Sequence, residues 1–186
     1  NTFAQFFPAR MPAQSCGSMN NVLLGGMDSR QIPERPFVHY ETLGGGAGAG
    51  PNRNGADAIH THMTNTLNTP IEVFERRFPI TISSYRVRSQ SKDHRSKYHG
   101  GLGIERHYTF EVPVTVTVIA ERHRLSPSGA KGGSDGRSGF ARLVCAAGNT
   151  ENLPSKFTRT FNSGETLVIG TADGGSWGIA QPNTVD

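Results

Sequence analysis

The feature that most constrains the fold of this chain is a run of strict alternation in its second half. Valine occupies every second position from Val112 to Val118, and threonine fills two of the positions between. Because successive side chains of an extended strand point to opposite faces, this pattern gives one strand an apolar face and a polar face. Such a strand is typical of an antiparallel sheet that is buried on one side only.

Shorter stretches with the same character predict further strands, at 32–42, 80–88, 140–145 and 166–169. Glycine-rich turns are predicted at 129–139 and 174–178. We therefore predict a mainly β fold, α+β overall, in which antiparallel sheets form a sandwich or a barrel-like structure. A few short helices and glycine-rich loops complete this prediction.

Two short helices are predicted. Apolar and aromatic residues over 1–7 end at a proline and indicate the end of a helix. The second helix starts at Thr69-Pro70-Ile71-Glu72 and ends before Pro79. In that start Thr69 is the expected N-cap, the proline takes the first helical position, and Glu72 completes a capping box.

Composition narrows the class of protein. The 186 residues include 23 glycines and 11 prolines and carry a formal charge of +4, which indicates a loop-rich fold and excludes a highly charged disordered tail. Cys16 and Cys145 form no CxxC unit, so a zinc ribbon or a thioredoxin motif is not expected. No apolar stretch approaches the roughly 20 residues that span a bilayer, and we expect a cytoplasmic protein without a membrane segment.

We expect residues 1–186 to form a single region. Within it, residues 1–78 are predicted as a loop and short-helix segment, and residues 79–186 as a β-rich segment. The run Gly44–Gly50 has almost no side chains, so it is either a flexible linker or a place where backbone approaches another group closely.

His60 and His62 form an HxH pair in the first segment. In an extended segment both imidazoles would point to the same face, which suits a metal ion or a polarised substrate carbonyl. Both are candidate catalytic residues and weak candidate metal ligands. Two ligands do not complete a metal site, and a pair of surface histidines beside a turn remains the alternative.

Polar residues follow this pair and lead into the second helix. Asn65 and Thr66 are candidate substrate or phosphate contacts, because N–H groups at a helix start favour carboxylate or phosphate oxygens. Ordinary capping and turn roles explain them equally well. Glu72 is predicted to cap the helix and is also a candidate catalytic carboxylate, whereas Glu75 would pair with a neighbouring arginine.

Basic residues are concentrated between Arg86 and His107. A phosphorylated substrate or an acidic partner subunit would explain this concentration, and Arg88 and Lys97 are the candidate phosphate contacts. Nucleic acid is disfavoured, because the overall charge is small and no nucleic-acid module is recognised. The glycine clusters match neither a P-loop nor a Rossmann turn, so no ATP site of either type is predicted.

Several separate motifs occur in order along the chain: Tyr40-Glu41-Thr42, Gly45-Gly46-Ala47-Gly48-Ala49, residues 55–66 (GADAIHTHMTNT), Thr69-Pro70-Ile71-Glu72, residues 98–106 (YHGGLGIER) and Gly174-Gly175-Ser176-Trp177-Gly178. Together they resemble the hydantoinase B/oxoprolinase family. The resemblance covers nearly the whole chain and corresponds to the C-terminal third of a typical member. We therefore expect the chain to be part of a longer B-type subunit.

The resemblance implies ATP-dependent opening of cyclic amides such as hydantoins, 5-oxoproline or lactams. In that scheme a hydantoinase A-type partner uses ATP to phosphorylate the substrate carbonyl oxygen, and the two subunits form a hetero-oligomer. Family members carry a divalent metal through a motif in their N-terminal part, so this segment alone is not expected to hold it. His60 and His62 would then orient or polarise the small-molecule substrate.

Two other readings of the resemblance stay open. Relatives include ATP-dependent ketone carboxylases of the acetone and acetophenone type, and the chain could also be a non-catalytic assembly piece of such a complex. Two segments depart from the family pattern: the basic stretch 89–97 replaces a compact glycine turn, and residues 173–177 (DGGSW) replace a run of four glycines. Because of these two departures, the resemblance leaves the identity of the substrate open.

Overall fold

In a computed structural model of the protein, the described residues are 2–17, 19–62, 64–89 and 95–180. Part of the basic stretch 89–97, including Lys92, lies outside them. The elements in chain order are α1 (Thr2–Phe6), β1 (Asn20–Asp28), β2 (Arg35–Leu43), α2 (Ile71–Arg77), β3 (Ile80–Val87), β4 (Ser96–Tyr98), β5 (Ile104–Phe110), β6 (Val114–Ile119), β7 (Phe140–Val144), β8 (Thr150–Leu153), β9 (Lys156–Phe161), β10 (Thr166–Gly170) and β11 (Trp177–Ile179).

The strands form two main sheets, and the pairings within them are antiparallel. The first sheet has the order β2-β1-β6-β9, and the second has the order β3-β5-β10-β7-β8. Strands β11 and β4 form a small separate ribbon. The predicted mainly β, antiparallel fold is confirmed, and in the part of the chain that the structure describes the sheets form no closed barrel.

Both main sheets contribute buried side chains to one apolar cluster, which forms the core of the described residues. The alternating valines of β6 are buried, whereas Thr115 and Thr117 between them face outward and hydrogen-bond to threonines of β9. The second sheet contributes Tyr108 and Phe110 of β5, and α2 inserts Phe74 into the same cluster. The alternation therefore places the valines against the second sheet, as predicted.

Strand β1 is not among the strands that the sequence predicts, although it lies at the centre of the first sheet. Gly25 and Gly26 interrupt it, and glycine is unfavourable in strand interiors. A side chain at Gly26 would press against the carbonyl of Pro113 and the ring of Phe37. Close packing of the neighbouring elements therefore explains why a residue without a side chain occupies position 26.

The glycine-rich loops that follow β2, precede β5 and follow β10 pack backbone against backbone. The amide of Gly46 donates to the carbonyl of Ala172, and the amide of Gly174 donates to the carbonyl of Gly101. A Cβ atom at Gly46 would overlap the Gly101 carbonyl, and one at Gly174 would overlap the Ala47 carbonyl. Of the two readings of Gly44–Gly50, close backbone approach is therefore correct, and these loops form a glycine hub.

The second helix occurs at the predicted place, but its predicted capping box is wrong. Helix α2 begins at Ile71, its N-cap is Pro70, and no side chain caps it. Thr69 lies one residue too early to cap this start. Glu75 accepts a hydrogen bond from the backbone N–H of Ile82 at 2.8 Å instead of pairing with a neighbouring arginine, so it joins the helix to β3.

Among the described residues no helix is long and apolar enough to cross a membrane.

Candidate functional site

A cavity of about 500 Å³ lies between the segment that precedes α2 and strand β3. Its wall includes His60, Asn65, Thr66, Asn68, Thr69 and Tyr85. Reciprocal backbone hydrogen bonds of 2.9 Å between Gly45 and Ile59 fix the start of this segment to the glycine hub. The fold therefore brings together three of the residues singled out from the sequence, His60, Asn65 and Thr66, and we refer to this space as the His60 cavity.

His60 is the titratable group most directly placed in the cavity. Its Nε2 lies 3.4 Å from the hydroxyl of Thr66, and that hydroxyl forms a hydrogen bond with the hydroxyl of Thr42 on β2. Burial lowers the pKa of His60 below its usual value of 6.5. This effect is larger than that of a hydrogen bond with Thr66, which raises the pKa. The imidazole is therefore neutral at pH 7 and can accept or donate a proton.

A buried carboxylate, Glu41, lies behind the cavity wall. It accepts hydrogen bonds from the hydroxyl of Tyr108 and, at 2.9 Å, from the side-chain amide of Asn68. Burial raises the pKa of Glu41, but the His39 imidazole at 3.7 Å, the charge of Arg106, and these two hydrogen bonds hold it below its usual value. Glu41 is therefore ionised at neutral pH.

Arg106 supplies the opposite charge and is fully buried. Its Nε lies 3.5 Å from Glu41, and no described residue accepts a hydrogen bond from any of its three nitrogens. The guanidinium stacks on the ring of Tyr85 at 4.5 Å, and the Tyr85 hydroxyl donates to the Asn68 side chain at 3.2 Å. Asn68 thus connects the cavity wall to the buried ion pair.

Sequence reasoning did not select Glu41 or Arg106 as site residues. One signal for Arg106 is present, because it occupies an inward position between Ile104 and Tyr108 on an alternating strand. A charged residue at such a position needs a buried partner. The partner is on another sheet, and no local pattern identifies it.

The structure does not place the two histidines of the HxH pair on one face. His62 has a positive φ of 60°, so the segment is not extended there, and the predicted shared orientation is wrong. The side chain of His62 is exposed and lies outside the lining of the His60 cavity. The left-handed φ is the reason, since it rotates the Cβ atom of His62 away from the direction that it would have in an extended segment.

The other three predicted residues also lie outside the His60 cavity. Glu72 is exposed on the outer side of α2. Arg88 donates to the backbone carbonyls of Ser138 and Thr171 on the other side of the second sheet, and Lys97 is exposed with its ammonium group 5.3 Å from the ring of Tyr98. The fold therefore separates these side chains from His60.

The described residues contain no group of three or more His, Cys, Asp or Glu side chains arranged to hold a metal ion. His60 and His62 do not converge on a common point with a third ligand. These residues therefore do not fit the divalent metal that the family resemblance implies, and we derive no chemical step through a metal.

Comparison with known proteins agrees with the motifs. Residues 1–180 match the profile of the family described as hydantoinase B/oxoprolinase. A 5-oxoprolinase of Dictyostelium discoideum is 36% identical over 166 residues, with 89% of this chain and 12% of the relative aligned. The 5-oxoprolinase 1 of Arabidopsis thaliana is 37% identical over 166 residues, again with 89% of this chain and 12% of the relative. The chain thus spans about an eighth of the length of these relatives.

Two solved structures share the fold. The ATP-dependent caprolactamase from Pseudomonas jessenii superimposes with a TM-score of 0.67 at 21% identity, over 95% of this chain and 31% of that one. A nucleotide-free acetone carboxylase gives a TM-score of 0.60 at 14% identity, over 88% of this chain and 26% of that one. The profile match over nearly the whole sequence shows that this chain belongs to the hydantoinase B/oxoprolinase family.

Proposed function

We propose that this chain forms a substrate-facing wall in the B-type subunit of an ATP-dependent cyclic-amide hydrolase. The observation that carries the proposal is the His60 cavity, which joins a neutral imidazole to hydroxyl and amide groups in one concave space. The substrates are hydantoin, oxoproline or lactam rings. Family membership supports this class, because relatives of this chain include 5-oxoprolinases.

The groups on the cavity wall complement a cyclic amide. The ring of such a substrate offers a carbonyl oxygen that accepts hydrogen bonds and an N–H group that donates one. The side-chain amide of Asn65 can both donate and accept, and the hydroxyl of Thr66 can do the same. The two residues would orient the ring, while Asn68 is held by Glu41 and keeps the wall in place.

His60 is the group that can move a proton. In the proposed sequence a hydantoinase A-type partner first uses ATP to phosphorylate the amide oxygen, which makes the ring carbon a better electrophile. Water then adds to that carbon, and His60 accepts the proton that the water loses. His60 returns this proton to the ring nitrogen, and the proton of the newly added hydroxyl group follows as the C–N bond breaks, so that the nitrogen leaves with both protons of the water. A second water then hydrolyses the resulting acyl phosphate to a carboxylate and inorganic phosphate.

The remaining parts of the complex are also proposals. A divalent metal would belong to the N-terminal part of the B-type subunit, and ATP would bind to the A-type partner, so that the active enzyme is a hetero-oligomer. The small share of the oxoprolinase relatives that this chain covers supports a site completed by other segments.

The test is ring opening by the complete complex, measured as ATP-dependent product formation with a hydantoin, 5-oxoproline and a lactam. We expect His60→Ala to lower kcat by about 10²–10⁴-fold, the usual contribution of a general base. The matched control is His62→Ala, which changes the same residue type two positions away on an exposed side chain. It should retain wild-type turnover.

Three outcomes decide between the alternatives. Wild-type turnover in His60→Ala would remove this residue from the chemistry and favour a non-catalytic assembly role for the segment. ATP consumption that requires a ketone and bicarbonate instead of a cyclic amide would assign the complex to the carboxylases. Equal losses in the two histidine variants would indicate a structural effect and contradict the proposed role of His60.

A further inference from the structure

A second cavity, of about 360 Å³, lies on the outer face of the second sheet. Its wall contains four arginines, Arg86, Arg88, Arg137 and Arg142, together with Glu105 and the ring of Phe140. We call it the arginine cavity. None of its lining residues lines the His60 cavity, so the two spaces are separate.

The register of the strands places the two cavities on opposite faces of the sheet. Tyr85 lies beside Arg106, and the next residue, Arg86, lies beside Glu105. Because neighbouring residues of a strand point to opposite faces, Tyr85 points toward the His60 cavity and Arg86 toward the arginine cavity.

Two of the four arginines are fixed by contacts within the fold. Arg88 donates to the carbonyls of Ser138 and Thr171 at 2.9 and 2.8 Å, and its NH1 lies 3.7 Å from Asp173. Arg137 forms an ion pair with the same Asp173 and donates to the carbonyl of Ser89 at 2.6 Å. One carboxylate therefore serves two guanidinium groups, and both are held in place at the cavity.

The third and fourth arginines differ in their partners. Arg86 pairs with Glu105 at 2.8 Å. Arg142 makes no ion pair with any residue that the structure describes, and its guanidinium lies 4.5 Å from the centre of the Phe140 ring. The guanidinium group of Arg88 lies 5.5 Å from the centre of the same Phe140 ring, so two guanidinium groups contact one aromatic ring.

The cavity is thus electropositive. Its four guanidinium groups are balanced by only two carboxylates among the described residues, Glu105 in the wall and Asp173 behind it. Burial lowers the pKa of Arg88, and the charges of Arg137 and Arg142 act in the same direction against the effect of Asp173. Like charges held this close favour a bound anion that relieves their repulsion.

We propose that the arginine cavity binds a small multivalent oxyanion of the phosphate class, such as inorganic phosphate or pyrophosphate. Guanidinium groups present planar forks of donors that match the oxygens of such an anion. Arg142 is the principal ligand, because its guanidinium group forms no ion pair with any described carboxylate. The inference does not depend on the chemistry proposed for His60, because the two sites share no residue.

The experiment measures binding of phosphate, pyrophosphate and citrate to the complete protein by calorimetry at constant ionic strength. We expect saturable binding of pyrophosphate and phosphate, with citrate weaker. Arg142→Gln should weaken pyrophosphate binding about tenfold or more, which is the effect of losing one charge-assisted contact. Arg142→Lys, which keeps the charge but loses the fork, should give an intermediate loss.

The matched control is Arg159→Gln. It removes the same charge from a partly exposed arginine on β9, which pairs with Glu151 and lies outside the arginine cavity. We expect it to retain wild-type affinity. As a second readout, pyrophosphate should raise the Tm of the wild type and of Arg159→Gln, and should raise it less in Arg142→Gln.

Absence of saturable binding to the wild-type protein would overturn the proposal. Equal weakening in Arg142→Gln and Arg159→Gln would also overturn it, because the effect would then follow net charge alone. Citrate that binds as tightly as pyrophosphate would assign the cavity to carboxylates and contradict the phosphate class. The Tm readout also identifies a variant that has failed to fold, and Arg142→Lys then provides the comparison.

Discussion

Arg106 and Glu41 form an ion pair that is removed from water, with 3.5 Å between the Nε of Arg106 and the carboxylate. Their side chains are 0% and 3% exposed. Glu41 is on β2 in the first sheet and Arg106 on β5 in the second, so the pair crosses the interior of the molecule. It also supports the wall of the His60 cavity through Asn68.

Breaking this pair should be costly. In Glu41→Gln the buried guanidinium loses its counter-charge while the shape of the side chain is kept. We expect the free energy of unfolding to fall by about 3–5 kcal/mol, the cost of leaving an uncompensated buried charge. Unfolding of the protein in urea measures the change.

The matched control for Glu41→Gln is Glu151→Gln, which breaks the ion pair with Arg159 on the surface. Those two side chains are 55% and 39% exposed, and such pairs contribute at most about 1 kcal/mol. Similar losses in the two variants would show that Glu41 and Arg106 are not an energetically important buried pair. Pairing Glu41→Gln with Arg106→Met should recover part of the lost stability, because the unpaired charge is then gone.

The close packing of the glycine hub leads to a second prediction. In Gly174→Ala the new methyl group would overlap the carbonyl of Ala47, and both partners are backbone that cannot rotate away. We expect a loss of about 3 kcal/mol or more in the free energy of unfolding, since overpacking against rigid neighbours is not relieved by side-chain motion. Thermal and urea unfolding measure the effect.

Gly25→Ala provides the comparison for Gly174→Ala. A Cβ atom at Gly25 has its nearest neighbours at 3.7 and 3.9 Å, which is ordinary contact. The substitution should leave stability unchanged or raise it slightly, because alanine restricts the unfolded chain more than glycine does. If both variants are equally stable, the close packing of the hub has no energetic consequence.

The sequence predicts β2, β3, β6, β7 and β10 from local patterns, but it does not predict β5, β8 or β9, although β5 alternates regularly. The alternation over β6 and the β-branched residues of β3 and β10 identify buried faces without knowledge of the partners. Strand β1 is not predicted, because Gly25 and Gly26 disrupt the residue pattern that is typical of a strand. Contacts with other elements determine its position in the first sheet. The same holds for the glycine hub, whose packing depends on segments far apart in the chain.

The candidate site is partly predictable for the same physical reason. His60, Asn65 and Thr66 are close in sequence, and the fold keeps them together in one cavity. His62 departs from expectation because one left-handed residue reverses the orientation that an extended segment would give. Glu41 and Arg106 come from different sheets, so no spacing rule could associate them.

Acid stability should depend on Asp28 at the end of β1. The hydrogen bonds and charge of Arg30 lower the pKa of Asp28 from 3.8 to about 2, despite opposing burial. Because the folded-state pKa is depressed, this stabilisation is complete above pH 3.8 and is lost as the pH falls toward 2. Arg30→Gln should return the pKa of Asp28 toward 3.8 and make the protein unfold at a higher pH during acid titration.

An NMR titration of the Asp28 carboxylate checks the shift directly. Arg35→Gln is the control, because it removes an arginine from the paired strand β2 that takes no part in the hydrogen bonds of Asp28. A pKa of Asp28 that stays near 2 in Arg30→Gln would show that other groups hold it there.

The pH profile of the complete enzyme should report His60. If the neutral imidazole accepts the proton of the attacking water, kcat/KM falls on the acid side as His60 becomes protonated. Burial lowers the pKa of His60, so this acid limb should lie below pH 6.5. The measurement is kcat/KM against pH for ATP-dependent opening of a cyclic amide, and His60→Gln should abolish the limb along with most of the activity. A limb centred at or above pH 6.5, or one that survives unchanged in His60→Gln, would assign the titration to another group, because burial lowers the pKa of this imidazole.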